Sequence, residues 1–279
     1  MVWSRRGNLP FTVFNGIALS LLAGQAAAQV ATEPIATESN PSTLQDVAKE
    51  KQNPFAETIN LPIESDTGFG VGPHHDIGQE FTIQPLFPVT LDNNWNLIVR
   101  PLLPLTYSPS PEKQFGLGDI QPSFFLTPAR VSEWTWGVGP AFQLPTATSS
   151  ELGTGKWSAG PTGALIYSEG PWFAGVLVSQ LWSFAGAHRA PVNQTAAEPN
   201  VSYNFDSGWY IQFDPTITYD WAAASRDALT LPLGIDVGKA MQIGARSLTL
   251  QIGAYDFVKH PTDATQWVVR AQITFLFPR

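Results

Sequence analysis

The residues predict an all-β protein: a transmembrane antiparallel up-and-down β-barrel of about 12 strands with a short N-terminal periplasmic helix. Three observations predict it: a shortage of charge, an export-type N-terminal segment, and period-two alternation from Pro54 to the end. Charged residues are only 14% of the chain, against roughly 25% in soluble domains, while hydrophobic residues reach 43% and aromatics 12%. A mean hydropathy of -0.04 is far too low for a bundle of membrane helices. The formal charge of -8, from 15 basic and 23 acidic residues, argues against nucleic acid as a partner, because phosphate binding needs clustered Lys and Arg. With 0 Cys, disulfide frameworks, thiolate zinc sites and thiol catalysis are excluded.

The first element is residues 1–28. Arg5 and Arg6 precede an apolar stretch from Phe11 to Ala23, and Ala26, Ala27 and Ala28 close it before Gln29, the pattern of a cleaved secretory signal. Loss of Arg5 and Arg6 with that segment takes the charge from -8 to -10. Residues 29–53 read as a periplasmic leader with one short helix from Ser42 to Gln52, begun by a Ser42–Gln45 capping box and carrying Leu44, Val47 and Ala48 on one face. Residues 54–279 form the barrel.

Within it the clearest strand runs from Trp209 to Trp221. Trp209, Ile211, Phe213, Pro215, Ile217, Tyr219 and Trp221 share one face, and Tyr210, Gln212, Asp214, Thr216, Thr218 and Asp220 the other. Trp267 to Phe277, Leu248 to Ile252 and Trp95 to Tyr107 alternate in the same way. Such runs exceed the usual soluble strand of about five or six residues and match the roughly nine to eleven that a tilted strand needs to cross a bilayer. A bilayer offers backbone groups no partners, so long strands there must close into a barrel. Tyr and Trp at the strand ends suit the two membrane interfaces.

Compact turns fit Asp92-Asn93, Val131-Ser132, Glu169-Gly170 and Asp206–Gly208, with a longer one near Lys239 to Arg246. Longer connections are expected at 66–76, 108–114, 145–155 and 186–195, and short turns opposite long loops are the asymmetry of an outer-membrane barrel. Two features compete with this reading. The uncharged run Trp172 to Ala187 also fits a single membrane helix, although Gln180 and its Gly and Ser residues weigh against it. Pro85, Pro101, Pro122, Pro140, Pro161 and Pro215 fall near mid-strand, where proline removes a ladder donor; they imply either a belt of bulges or strands broken into shorter pieces.

Catalytic and metal patterns are weak. Gly153-Thr154-Gly155-Lys156 echoes a phosphate loop, but Ser150 and Trp157 occupy positions that need Gly and Ser or Thr. There is no Gly-x-Ser-x-Gly elbow and no His-Glu-x-x-His, and His74-His75-Asp76 reads as solvated loop rather than as a metal site. A membrane lipase needs a Ser–His pair on the outer wall, and no histidine falls on the lipid-side phase. The expectation is therefore no enzyme, no cofactor and no metal.

The inward phase is charged. Glu80, Arg100, Asp119, Asp214, Asp220, Asp236 and Arg270 are the candidate lumen-lining residues, with Lys156 on the same phase. Charges inside a membrane protein are paired or line water. Facing acids and bases either constrict a channel or tie a narrow barrel together, and the sequence leaves both open. Loops 108–114 and 145–155 are candidate gates, and the acidic excess favours cations in any pore.

Several segments resemble one Gram-negative family: Asn53-Pro54-Phe55-Ala56 with Leu61-Pro62, Ile83-Gln84-Pro85 with Phe87-Pro88, Trp95-Asn96-Leu97-Ile98, and Phe115-Gly116-Leu117-Gly118-Asp119. So do Gly137-Val138-Gly139-Pro140, Leu144-Pro145-Thr146-Ala147-Thr148, Gly153-Thr154-Gly155-Lys156-Trp157 through Gly160-Pro161, Trp182-Ser183-Phe184-Ala185-Gly186, and Leu276-Phe277-Pro278. In this order, from about residue 44 onward, they resemble the MetA-pathway of phenol degradation family, outer-membrane β-barrels labelled as transporters. Pro278 and Arg279 after Phe277 displace slightly the terminal-Phe assembly signal that such barrels carry. The resemblance implies an outer-membrane barrel with a role in passage of small organic molecules and no defined substrate; a monomer in contact with outer-membrane lipid and a small-molecule solute is expected. The expected function is passive passage of small solutes, including small hydrophobic or aromatic compounds; the alternative is a structural or surface-interaction barrel with a plugged lumen.

Overall fold

The computed structural model of the protein describes residues 43–277 except Pro111, Val131 and Ala245. The signal segment 1–28 and the leader as far as residue 42 lie outside the described residues.

Helix α1 spans Leu44–Gln52, shorter than the sequence reading and capped differently. Thr43 is the N-cap: its hydroxyl accepts from the Asp46 amide at 3.1 Å while the Asp46 carboxylate accepts from the Thr43 amide at 3.2 Å. The expected Ser42–Gln45 box gives way because Thr43 and Asp46 have the same spacing and add a negative charge at the positive helix end. Gln45 is thereby free to donate to the Asn204 carbonyl and the Asp206 carboxylate, at 2.8 and 3.0 Å.

The chain then forms strands β1 (Ile59–Val71), β2 (Asp76–Ile83), β3 (Phe87–Thr90), β4 (Trp95–Ser108), β5 (Gln114–Leu117), β6 (Gln121–Pro128), β7 (Trp134–Gln143) and β8 (Lys156–Glu169). It continues through β9 (Trp172–Gly186), β10 (Asn193–Asn204), β11 (Trp209–Phe213), β12 (Ile217–Asp220), β13 (Leu229–Ile243), β14 (Arg246–Lys259) and β15 (Trp267–Phe277). β2 with β3, β5 with β6, and β11 with β12 each share one stave of the wall, so the 15 strands make twelve staves. Every pairing is antiparallel with the next stave in sequence, β1 pairs β15 from Ile59↔Phe277 to Phe69↔Trp267, and no stave is left as an edge. The chain is a closed twelve-stave antiparallel barrel with one short N-terminal helix. The run Trp172–Gly186 is a strand, not a membrane helix.

Alternation sets the two faces. Leu233, Ile235 and Val237 point outward and are 45%, 53% and 42% exposed, while Asp236 between them is fully buried. An apolar face of this extent around a barrel is one that lipid must cover. Aromatic pairs mark both rims: Trp95 with Trp136 and Trp172 with Tyr203 near the termini, and Phe69 with Trp267 and Tyr219 with Trp221 at the far end. Rings that are apolar on one side and wet on the other suit such borders.

Connections at the termini end are short. The longer one expected near Lys239 to Arg246 is a tight turn instead, since β13 and β14 pair as far as Ile243↔Arg246 and Gly244 takes the positive φ of 62° that the turn requires. The polar residues there belong to the strand because they sit at the rim; Lys239 lies 5.2 Å from the Trp209 ring centre. The 66–76 loop is also shorter than expected, because β1 continues to Val71.

The prolines divide the two readings of them. Pro85 and Pro215 fall in the gaps between β2 and β3 and between β11 and β12, so these staves are broken, and the Trp209–Trp221 run is not one strand. Pro101 and Pro122 face one another in a continuous β4–β6 ladder, and Pro140 faces Pro161 between β7 and β8. The register flanking the first gap, Ile83↔Leu103 and Phe87↔Val99, sets Pro85 opposite Pro101, so three prolines line up across neighbouring staves. A shared belt of bulges is therefore not what the wall contains: among the described pairings, a register shift coincides with a proline only at Leu231/Pro232. The prolines instead face one another or sit in gaps.

Beside one of these prolines the wall is very tight. A Cβ on Gly160 would lie 1.8 Å from the Gln180 carbonyl oxygen. Gly160→Val is expected to destabilise the barrel by about 1–3 kcal/mol, the range for overpacking, read as a lower urea midpoint in lipid vesicles and less heat-modifiable barrel on a cold gel.

Candidate functional site: a charged lumen with a helical floor

The even-numbered face of β1, β2, β4, β10 and β15 and the residues after α1 point into the barrel, and this parity builds the site. At the termini end α1 forms a floor. Val47 and Ala48 are fully buried in a cluster with Tyr210, Ala240 and Leu276. Past the helix, Phe55 meets Phe125 edge-on at 5.9 Å, within a cluster that includes Leu86, Ile98 and Phe173. Burial of side chains such as Val47 and Phe55 contributes roughly 1.5–3 kcal/mol each. Polar contacts fix the orientation: Gln52 Nε2 donates to Asn204 Oδ1 at 3.0 Å, Ser202 Oγ donates to Gln52 Oε1 at 2.6 Å, and Lys51 Nζ donates to Gln251 Oε1 at 2.6 Å. Glu50, half-buried on α1, accepts with its carboxylate from the Thr58 amide and hydroxyl at 3.0 Å each. Burial pushes its pKa above the usual 4.5, outweighing those hydrogen bonds.

Above the floor is a cavity of about 670 Å³. Arg270 on β15 gathers acids from two directions. Its Nε lies 3.1 Å from Asp66 and 3.3 Å from Glu64 on the adjacent β1, and a terminal nitrogen lies 3.6 Å from Asp214 in the gap between β11 and β12. The Tyr255 ring sits 4.9 Å from the guanidinium, and its hydroxyl donates to Asp214 at 2.8 Å and also hydrogen-bonds Asp236. Glu80 stands opposite Asp66 in the β1–β2 register and takes hydrogen bonds from Thr82 and Thr106.

A second pair crosses the lumen. Arg100 on β4 contacts Glu198 on β10 at 2.9 Å and Gln84 at 3.1 Å. At the loop end, Asp119 accepts from Thr154 N at 2.7 Å, Thr154 Oγ1 at 2.8 Å, Gln143 Nε2 at 3.0 Å and Ala147 N at 3.2 Å. These bonds fold the connection between β7 and β8 inward, so that Leu152, Gly153 and Thr154 line the cavity.

Of the residues expected at the lumen, Glu80, Arg100, Asp119, Asp214 and Arg270 line this cavity. Asp236 has the right parity but is fully buried in the wall against Tyr255. Asp220 ends β12 at the far rim, where it accepts from the Ala222 amide at 2.9 Å. Of the two candidate gates, 145–155 reaches the cavity, while none of the described residues of 108–114 lines it. Glu64, Asp66, Glu198 and Lys51 also line it and were missed. Glu64 and Asp66 share the alternation of Ile59 to Phe69, a legible signal obscured by assigning Asp66 to a loop. Glu198 lies on a strand with Ala on both phases, and Lys51 arrives on the helix, for which strand parity gives no cue.

No family model matches the chain, and no curated protein matches it. Solved structures do. The chain is similar to an outer membrane channel from Pseudomonas putida F1, with a TM-score of 0.61 and 16% identity over 89% of this chain and 100% of that one. It is also similar to the NanC porin, with a TM-score of 0.51 and 11% identity over 78% of this chain and 98% of that one. At these identities the likeness shows the fold, which is that of outer membrane barrels. The expectation that the chain is no enzyme does not stand: the similar structures include outer membrane phospholipase A from Escherichia coli, at 14% identity over 78% of this chain and 95% of that one. Its TM-score of 0.41 assigns no catalysis to this chain either.

Two predictions follow from the charged interior and its floor. Arg270→Met removes the one base among three carboxylates, and the barrel is expected to lose about 3–5 kcal/mol of stability, measured by urea unfolding in vesicles. Glu50 binds its proton more tightly docked than released, so acid favours docking. Docking is firmest below 4.5, where both forms are protonated, and weakens as pH rises through the raised value. Hydrogen exchange of the α1 amides, corrected for intrinsic rate, is expected to show less protection at neutral pH than in acid, and Glu50→Gln to flatten that dependence.

Proposed function

We propose that the chain is an outer membrane channel for passive passage of small solutes, working as a monomer after export by residues 1–28. The observation that carries this reading is a charged cavity of about 670 Å³ inside a closed barrel whose outer face is apolar. Water-filled lumens in membrane barrels are lined in this way. Phe173, Leu102 and Phe257 line the same cavity beside the charges, which supports small hydrophobic or aromatic compounds among the solutes, as the resemblance to the MetA-pathway of phenol degradation family implies.

A second reading has its own observation. α1 and Phe55 fill the termini end, as they would in a plugged barrel whose loops do the work. Conductance and uptake separate the two. The mature chain in planar bilayers is expected to give discrete conductance steps and, in liposomes, to speed entry of small aromatics and small charged solutes. Val47→Asp places a charge in the floor's apolar contact and is expected to raise conductance several-fold by releasing the helix. Folded barrels of both proteins that neither conduct nor take up solute sink the channel reading. A mature N-terminus at Gln29 by mass spectrometry checks the export segment.

A further inference from the structure

The Arg100–Glu198 contact differs from the other ion pairs of the lumen. Arg270 meets Glu64 and Asp66 on the adjoining stave and, at 3.6 Å, Asp214 three staves round the ring. β4 and β10 stand on nearly opposite sides of the ring: β6, β7, β8 and β9 separate them one way, and β2, β1, β15, β14, β13 and the β11/β12 stave the other. Their 2.9 Å contact is therefore a bar across the lumen, and the side chains are still 18% and 31% exposed, so the bar is wetted rather than packed. It also divides space. Arg100 and Glu198 line both the main cavity and a side pocket of about 50 Å³ toward β7 and β8. Gln84 steadies the guanidinium at 3.1 Å, and the Arg100 carbonyl accepts from Ser123 Oγ at 3.1 Å, so the basic end is held from two staves.

We propose that this bar is the size filter of the lumen, and that the acidic lining around it passes small cations and neutral solutes in preference to anions. The inference rests on the channel reading above. A solute crossing the barrel passes a guanidinium and a carboxylate that neutralise one another, so the field it meets is set by the remaining lining charges. Those are mainly acidic: Glu64, Asp66, Glu80, Asp119 and Asp214, against Lys51 and Arg270. Among the described residues, Glu80 has no arginine or lysine in ion-pair contact. Rings of carboxylates favour cations in the same way in other pores.

The test is the cation-to-anion permeability ratio from reversal potentials in a salt gradient, measured on the full mature chain and on the same chain carrying Val47→Asp. The ratio is expected to exceed unity. Arg100→Gln leaves Glu198 unmatched and is expected to raise it; Glu198→Gln leaves Arg100 unmatched and is expected to lower it. Each shift is about five-fold, the weight of one unit charge met at roughly 4 Å in water. Arg100→Lys keeps the charge and is expected to keep the wild-type ratio. The double variant Arg100→Ala with Glu198→Ala is expected to raise conductance while moving the ratio little, because width changes and net charge does not. A wild-type preference for anions, shifts of the two glutamine variants in one direction, or glutamine variants that conduct with the wild-type ratio overturn the filter and leave the channel standing. Folded barrels that carry no current in any variant overturn the channel reading and the filter with it.

Discussion

The constraint on which the structure depends is that a bilayer gives backbone amides and carbonyls nothing to bond to. Pairing of β9 with β10 and of β1 with β15 meets it by leaving no open edge. Closure in turn fixes parity around the ring: once one outward residue is set, every stave's alternation is set with it. Glu64, Asp66, Glu80 and Arg270 face one another because register lines them up across β2, β1 and β15, not because their sequence positions are near.

The same constraint explains what the sequence made legible. Parity can be read from a single chain, so the faces of β4 and β15 were plain, and Glu80, Arg100, Asp119, Asp214 and Arg270, read as inward, line the cavity. Depth and cover cannot be read that way. Asp236 has the same parity as Asp214, yet Tyr255 on the next stave closes over it, a fact of tertiary packing. Asp220 has the right parity but too great a height. The floor was the hardest part: its amphipathic face was evident, but its seat against Tyr210 and Leu276 depends on residues far apart in sequence.

The interior has two kinds of ion pair with different mechanical meaning. The Arg270 cluster gathers acids from the adjoining β1 and from the β11/β12 stave three places round the ring. The Arg100–Glu198 bar ties opposite walls and shapes the space between them. Floor, bar and the inward-folded connection held by Asp119 lie in succession from the termini end to the loop end, so the lumen is a stack of partitions rather than a uniform tube.

The aligned prolines bear on how the barrel is assembled. Pro85, Pro101 and Pro122 stand in one row, and Pro140 faces Pro161. Sliding one stave by two residues would preserve its inside and outside faces, which makes that error invisible to hydrophobicity. It would, however, take its proline out of the row and set it opposite a residue of another kind. The row thus works like the teeth of a key: it says nothing about which face is wet, but it distinguishes the correct height of each stave from heights that parity alone would accept.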